Sequence, residues 1–103
     1  LICSTYLYRL RPPNHKEGLK WCVQAAQANS VSAQVHLSNI YFLGWGVPKD
    51  WEYAYMWSNI AASSGDETAI AHLKNIEKVM TKEAIINAQR LTRACVAKEF
   101  QDC

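Results

Sequence analysis

Apolar residues recur at helical spacing along most of the chain. Ala54, Trp57 and Ala61 form one stripe at i, i+3, i+7, and Gly18, Trp21 and Ala25 form its upstream counterpart. A second pair of stripes holds Ala33, Leu37, Ile40 and Tyr41, then Ala69, Leu73 and Ile76. Residues that start helices precede each stripe. Asn14, Ser30, Asp50, Asp66 and Thr81 each carry a side-chain oxygen able to accept from the unpaired backbone donors of a first turn, and Glu17 completes a capping-box pattern after Asn14. Gly44, Gly46 and Gly65 stand where helices must stop. The pattern predicts helices near 14–28, 30–43, 50–64, 66–79 and 82–98, the tail of another near 1–8, and no strands.

The stripes repeat at an offset of 36 residues. Trp21 to Ile40 lies over Trp57 to Ile76 with eight identities in twenty ungapped positions: Trp21/Trp57, Ala25/Ala61, Ala26/Ala62, Ala33/Ala69, His36/His72, Leu37/Leu73, Asn39/Asn75 and Ile40/Ile76. Upstream, Leu1 pairs with Leu37, Leu7 with Leu43 and Pro12 with Pro48, so the chain begins inside a repeat and its true N-terminus is expected to lie further upstream. The fold class that follows is all-α: an α/α superhelical solenoid of antiparallel helix hairpins with a C-terminal capping helix. It is one solenoid domain, with a partial repeat at 1–29, a full repeat at 30–65, a partial repeat at 66–80, and a capping helix and tail at 81–103. In the last helix Ala84, Ala88, Leu91 and Cys95 form the expected inward face, with Lys82, Gln89, Arg90 and Arg93 outside, as an end repeat requires. The alanines let helices approach closely, and Trp21 and Trp57 are expected to fill the space between layers.

Composition narrows the function. Half of the 103 residues are apolar and 19% are charged, the balance of a folded domain. A net charge of +2 without a basic run longer than a pair gives no reason to expect nucleic acid. No stretch approaches the roughly 18 apolar residues of a membrane span, so membrane insertion is not expected. The chain has no Gly-rich phosphate loop, nucleophile elbow or HExxH, and its acidic residues sit mostly at helix starts. Four cysteines without zinc-type spacing give no structural metal. His36 and His72 recur in successive first helices; repeated packing accounts for them, and a paired metal or acid/base site is the competing reading. The expectation is a non-enzyme with no cofactor and no metal.

The stretch Ala33 to Ala69 resembles the Sel-one-like repeat, a relative of tetratricopeptide repeats. Its pattern falls on Ala33, Leu37, Tyr41, Gly44, Gly46, Val47, Lys49, Asp50, Ala54, Trp57, Ala61, Ala62 and Gly65, with Ser38 replacing the usual glycine after the leucine. The upstream unit keeps Pro12, Asn14, Trp21, Ala25 and Ala26 but has Tyr8 and Leu10 where the turn glycines belong. The tail ACVAKEFQDC looks like the closing helix of bacterial members, so the resemblance points to the C-terminal part of a bacterial protein.

The resemblance implies a protein-interaction scaffold in signalling, secretion or envelope processes, with a protein or peptide as partner. In stacked hairpins the first helices line the concave side. The residues there are Ser32, Val35, Asn39 and Phe42, followed by Thr68, Ala71, Asn75 and Lys78. Asn39 and Asn75 are suited to hold a peptide backbone, because a carboxamide both donates and accepts; ordinary solvated asparagine is the competing reading. Similar bacterial tails carry the pair equivalent to Cys95 and Cys103, which implies a disulfide, provided the helix ends near Lys98 and Phe100 folds back over the apolar end of the stack. A buried free thiol at Cys95 beside an unrelated Cys103 is the alternative. The bond would place the protein in an oxidising compartment, periplasmic or secreted, and otherwise the chain would be cytoplasmic. Cys3 and Cys22 do not occupy equivalent repeat positions and are expected to be unpaired. Cysteine-rich members with a regular pair joining the helices of each unit suggest the alternative function, a small cell-wall-related hydrolase or metal-binding module; that regular pair is not expected in this chain, which weighs against the alternative.

Overall fold

A computed structural model describes Cys3 and residues 15–103. Five helices follow in order: α1 (His15–Gln27), α2 (Val31–Leu43), α3 (Trp51–Ala62), α4 (Glu67–Glu77) and α5 (Lys82–Ala97). Each bound lies within two residues of its expected place, and no strand occurs among the described residues. The Asn14 cap, the turn with Tyr8, Leu10 and Pro12, and the expected helix near 1–8 lie outside the described residues, except Cys3, which is helical.

The local signals act as chemistry requires. Ser30 Oγ accepts from Ala33 N at 3.3 Å, Asp50 Oδ1 from Tyr53 N at 3.0 Å, Asp66 Oδ2 from Ala69 N at 2.9 Å and Thr81 Oγ1 from Ala84 N at 3.1 Å. Each bond satisfies a first-turn donor that the helix itself leaves unpaired. Gly44 ends α2 at φ 76°, its N–H bonded to Ile40 O at 2.8 Å. A side chain there would meet Lys49 Cγ at 2.9 Å in addition to the cost of the left-handed backbone.

Helix α3 is the hub of the packing: α2, α4 and α5 all rest on it, while α1 packs on α2. Seven of its twelve residues are buried, from Ala54 to Ser58 together with Ile60 and Ala61. The hydroxyls of Ser38 and Tyr55 find partners across these contacts. Ser38 Oγ donates to Ala54 O at 2.7 Å, which explains how a serine replaces glycine at the tight α2–α3 contact. The Tyr55 hydroxyl donates to Glu77 Oε2 at 3.0 Å on α4 and accepts from Gln89 Nε2 at 3.5 Å on α5, bridging the two.

One core cluster joins Cys22, Ala26, Leu37, Ile40, Met56, Trp57 and Cys95, and a second holds Ala54, Tyr55, Ile76 and Ala88. Trp57 is buried as expected, whereas Trp21 is only half-buried, with Lys20 Nζ 5.9 Å from its ring centroid. Leu91 departs further from expectation: it is 39% exposed, because α5 packs from one side only and its buried line narrows to Ala88 and Cys95.

Both cysteine pairs are disulfides. Cys95 and Cys103 are joined across a Cα separation of 5.4 Å; α5 ends at Ala97, and Phe100 packs half-buried against the first core cluster. Cys3 and Cys22, expected to be unpaired, are joined with Cα atoms 4.8 Å apart. Repeat equivalence was the wrong criterion for them. The 36-residue offset relates like positions in successive units, whereas a cross-link joins the two facing helices of one unit; the counterparts of Cys3 and Cys22 are Asn39 in α2 and Ser58 in α3.

Candidate functional site

The inward face of α2 is committed to packing through Ala33, Leu37 and Ile40, with Gln34 and Ser38 buried beside them. Gln34 Nε2 donates to Ala26 O and to Asn29 Oδ1, both at 3.3 Å, tying α2 to the end of α1. Helix α4 likewise turns Ala69 and Ile76 inward. That leaves the remaining face of each first helix available, and α2 and α4 touch only sparsely. The result is an open depression between them.

Its larger part, about 490 Å³, is lined by Val35 and Asn39 from α2 and by Glu67, Thr68, Ala71, His72 and Asn75 from α4. A smaller part of about 280 Å³ adjoins it, where Ser32 and His36 meet Asp66 and Thr68. Ser32, Val35, Asn39, Thr68, Ala71 and Asn75 are thus gathered around one depression. Phe42 and Lys78 do not line it. Phe42 is half-buried, its ring edge-on to His72 at 5.9 Å and stacked on Trp51 at 5.9 Å. Lys78 is the exposed C-cap of α4.

The concave-face pattern alone did not assign Glu67, His36, His72 and Asp66 to this surface. The recurrence of His36 and His72 at 36 residues was the signal that could have placed the histidines, since equal positions on successive first helices must share a side of the stack. Burial lowers the pKa of both imidazoles from the ordinary 6.5, which keeps them neutral at pH 7. His72 Nε2 is buried and meets no hydrogen-bond partner among the described residues. The surface therefore offers two carboxamides, small apolar side chains, neutral imidazoles and one exposed carboxylate at Glu67. It can exchange hydrogen bonds in both directions with an amide backbone.

Among the described residues no three His, Cys, Asp or Glu side chains gather into a group able to hold a metal ion, and no helix is long and apolar enough to cross a membrane. The histidine pair therefore lacks further ligands of that kind.

Comparison with known proteins agrees with the geometry. The model of the Sel1 repeat matches residues 3–30 and 31–66. The chain is 34% identical over 77 residues to the chitin synthase regulator SKT5 of Saccharomyces cerevisiae, an alignment covering 72% of this chain and 11% of that protein. The chain thus spans about a tenth of the length of this curated relative. No solved structure gives a significant match. With its 36-residue helix pairs, glycine-ended turn and matched units, the chain belongs to the Sel1 repeat family.

Proposed function

We propose that the chain is a non-catalytic protein-interaction scaffold that holds an extended peptide segment in the depression between α2 and α4. The observation that carries this reading is that Asn39 and Asn75, one from each first helix, line the same depression together with Val35, Thr68 and Ala71. Their carboxamides pair with a peptide backbone, while the small apolar residues accept side chains without excluding the main chain. Phe42 and Lys78, each three residues beyond one of the asparagines, serve as outlying contacts of the bound segment. The fungal relative is named a regulator, which accords with a binding role.

Two disulfides suggest an oxidising environment. On that basis we propose that the scaffold works outside the cytoplasm, periplasmic or secreted; the resemblance of its tail to bacterial members is what suggests an envelope or signalling process of a bacterial cell. The Cys3–Cys22 link does join a first and a second helix of one unit, the arrangement of the cysteine-rich members behind the hydrolase reading. A hydrolase would need an acid/base pair in this depression, and His36 with His72 is the pair to test.

The test is a linear peptide selected from a random library on the wild-type chain. Replacing Asn39 and Asn75 by Ala is expected to weaken its binding by about 1 to 3 kcal/mol and to leave the melting temperature nearly unchanged. An affinity indifferent to the pair but sensitive to changes on α1, α3 or α5 would sink the assignment. Loss of a measurable hydrolytic activity on His72→Gln would instead favour the enzyme.

A further inference from the structure

We infer that the cleft at the α4–α5 turn receives an aromatic side chain of a partner protein, flanked by a basic residue. The protein supplies the template itself. His15 and Trp51 are equivalent by the 36-residue offset, and each is the first residue of its helix, α1 or α3. In the earlier unit Trp45 lays its indole on His15, with centroids 5.4 Å apart and planes within 13°. The intervening turn presses close, since a side chain on Gly46 would stand 3.2 Å from His15 Cβ.

In the next unit the cover is absent. The turn shortens from residues 44–50 to residues 78–81 and holds no aromatic side chain; Val79, which follows the C-cap of α4 as Trp45 follows that of α2, is the residue that corresponds to Trp45. Trp51 is left 40% exposed, with Phe42 stacked on it at 5.9 Å, beside a cleft of about 430 Å³ walled by Val79, Met80 and Ala84. Val79 is itself 46% exposed. An offset-stacked ring is the group that fills such a space, because indole faces attract ring edges and planes over a wide area. At the rim Asp50 and Glu52 face a single ammonium, Lys49, so the balance favours a cation beside the ring. None of these residues lines the depression between α2 and α4, and the two sites are separate.

The probe is N-acetyl-5-fluorotryptophanyl-arginine amide, followed by its fluorine resonance and by the indole N–H signal of Trp51 in the intact chain. Saturable binding that shifts the Trp51 signal is expected, weakened tenfold or more by Val79→Trp, which puts a ring on the residue after the α4 C-cap, where Trp45 stands after that of α2. Trp51→Ala should abolish it, and melting curves identify any variant that has lost its fold. Equal binding by the leucyl-arginine amide, undiminished binding to folded Val79→Trp or Trp51→Ala, or no preference over a glutamate-flanked probe would overturn the proposal.

Discussion

Helices α3 and α5 are both second helices of their units, yet one is a core and the other a cover. Seven of twelve residues are buried in α3, but only Ala88 and Cys95 of sixteen in α5. Among the described helices α3 has neighbours on several sides, whereas α5 packs substantially on α3 alone. The outer face of α5 carries Ile86 at 53% exposure and Val96 at 51%. With so little of α5 buried, other contacts help to hold it: the Tyr55 bridge, the Asn59–Thr92 contact at 3.5 Å, and a tail locked by the Cys95–Cys103 bond. The tail crosses the stack to place Gln101 Nε2 3.1 Å from Gln27 O at the end of α1. Its backbone pays in strain for that path, with Glu99, Phe100 and Asp102 all at positive φ.

The contrast sets an order of effects. Trp57→Ala should be the most damaging, costing about 3 to 5 kcal/mol, because a 2% exposed indole leaves a cavity at the hub; chemical denaturation measures it. Cys103→Ser should cost less, about 2 to 3 kcal/mol, since it frees a short loop in the unfolded chain. If α5 is the cover described here, amide exchange in that variant should quicken in α5 and the tail before α3.

A smaller effect comes from the histidines. His36 and His72 have folded pKa values below their ordinary 6.5, so the unfolded chain binds more protons as pH falls. Their contribution to stability is full above about pH 7 and is lost as pH drops through 6.5 towards the folded values, and His72→Gln should flatten that part of a melting-temperature profile. Least of all, Ile86→Lys should change stability by no more than about 0.5 kcal/mol, because the side chain already faces solvent. A large loss there would show that α5 is buried against something further.

What was legible in the sequence was local or periodic. Ser30, Asp50, Asp66 and Thr81 act within three residues of themselves, so their caps could be read directly. The 36-residue offset carried the hairpin order. Contacts between elements were less legible. Cys3 meets Cys22 across facing helices, a relation the offset does not encode. Leu91 keeps the helical period of an inward residue yet stays 39% exposed, lining a small hollow with Met56 of α3 and Cys103 of the tail. In the candidate site, alternate faces of α2 and α4 could be assigned by exclusion from the core, which placed Asn39 and Asn75. Phe42 escaped that logic because its ring is drawn to Trp51 and His72 at the helix end.

The central claim is that the first helices bind and the second helices support. Backbone amide shift mapping with the library-selected peptide tests it most directly. The account predicts saturable shifts concentrated on Ser32 to Asn39 and Thr68 to Asn75, with the buried stretch of α3 almost unmoved. Shifts confined to α1 and the outer face of α5, with Asn39 and Asn75 silent, would contradict it.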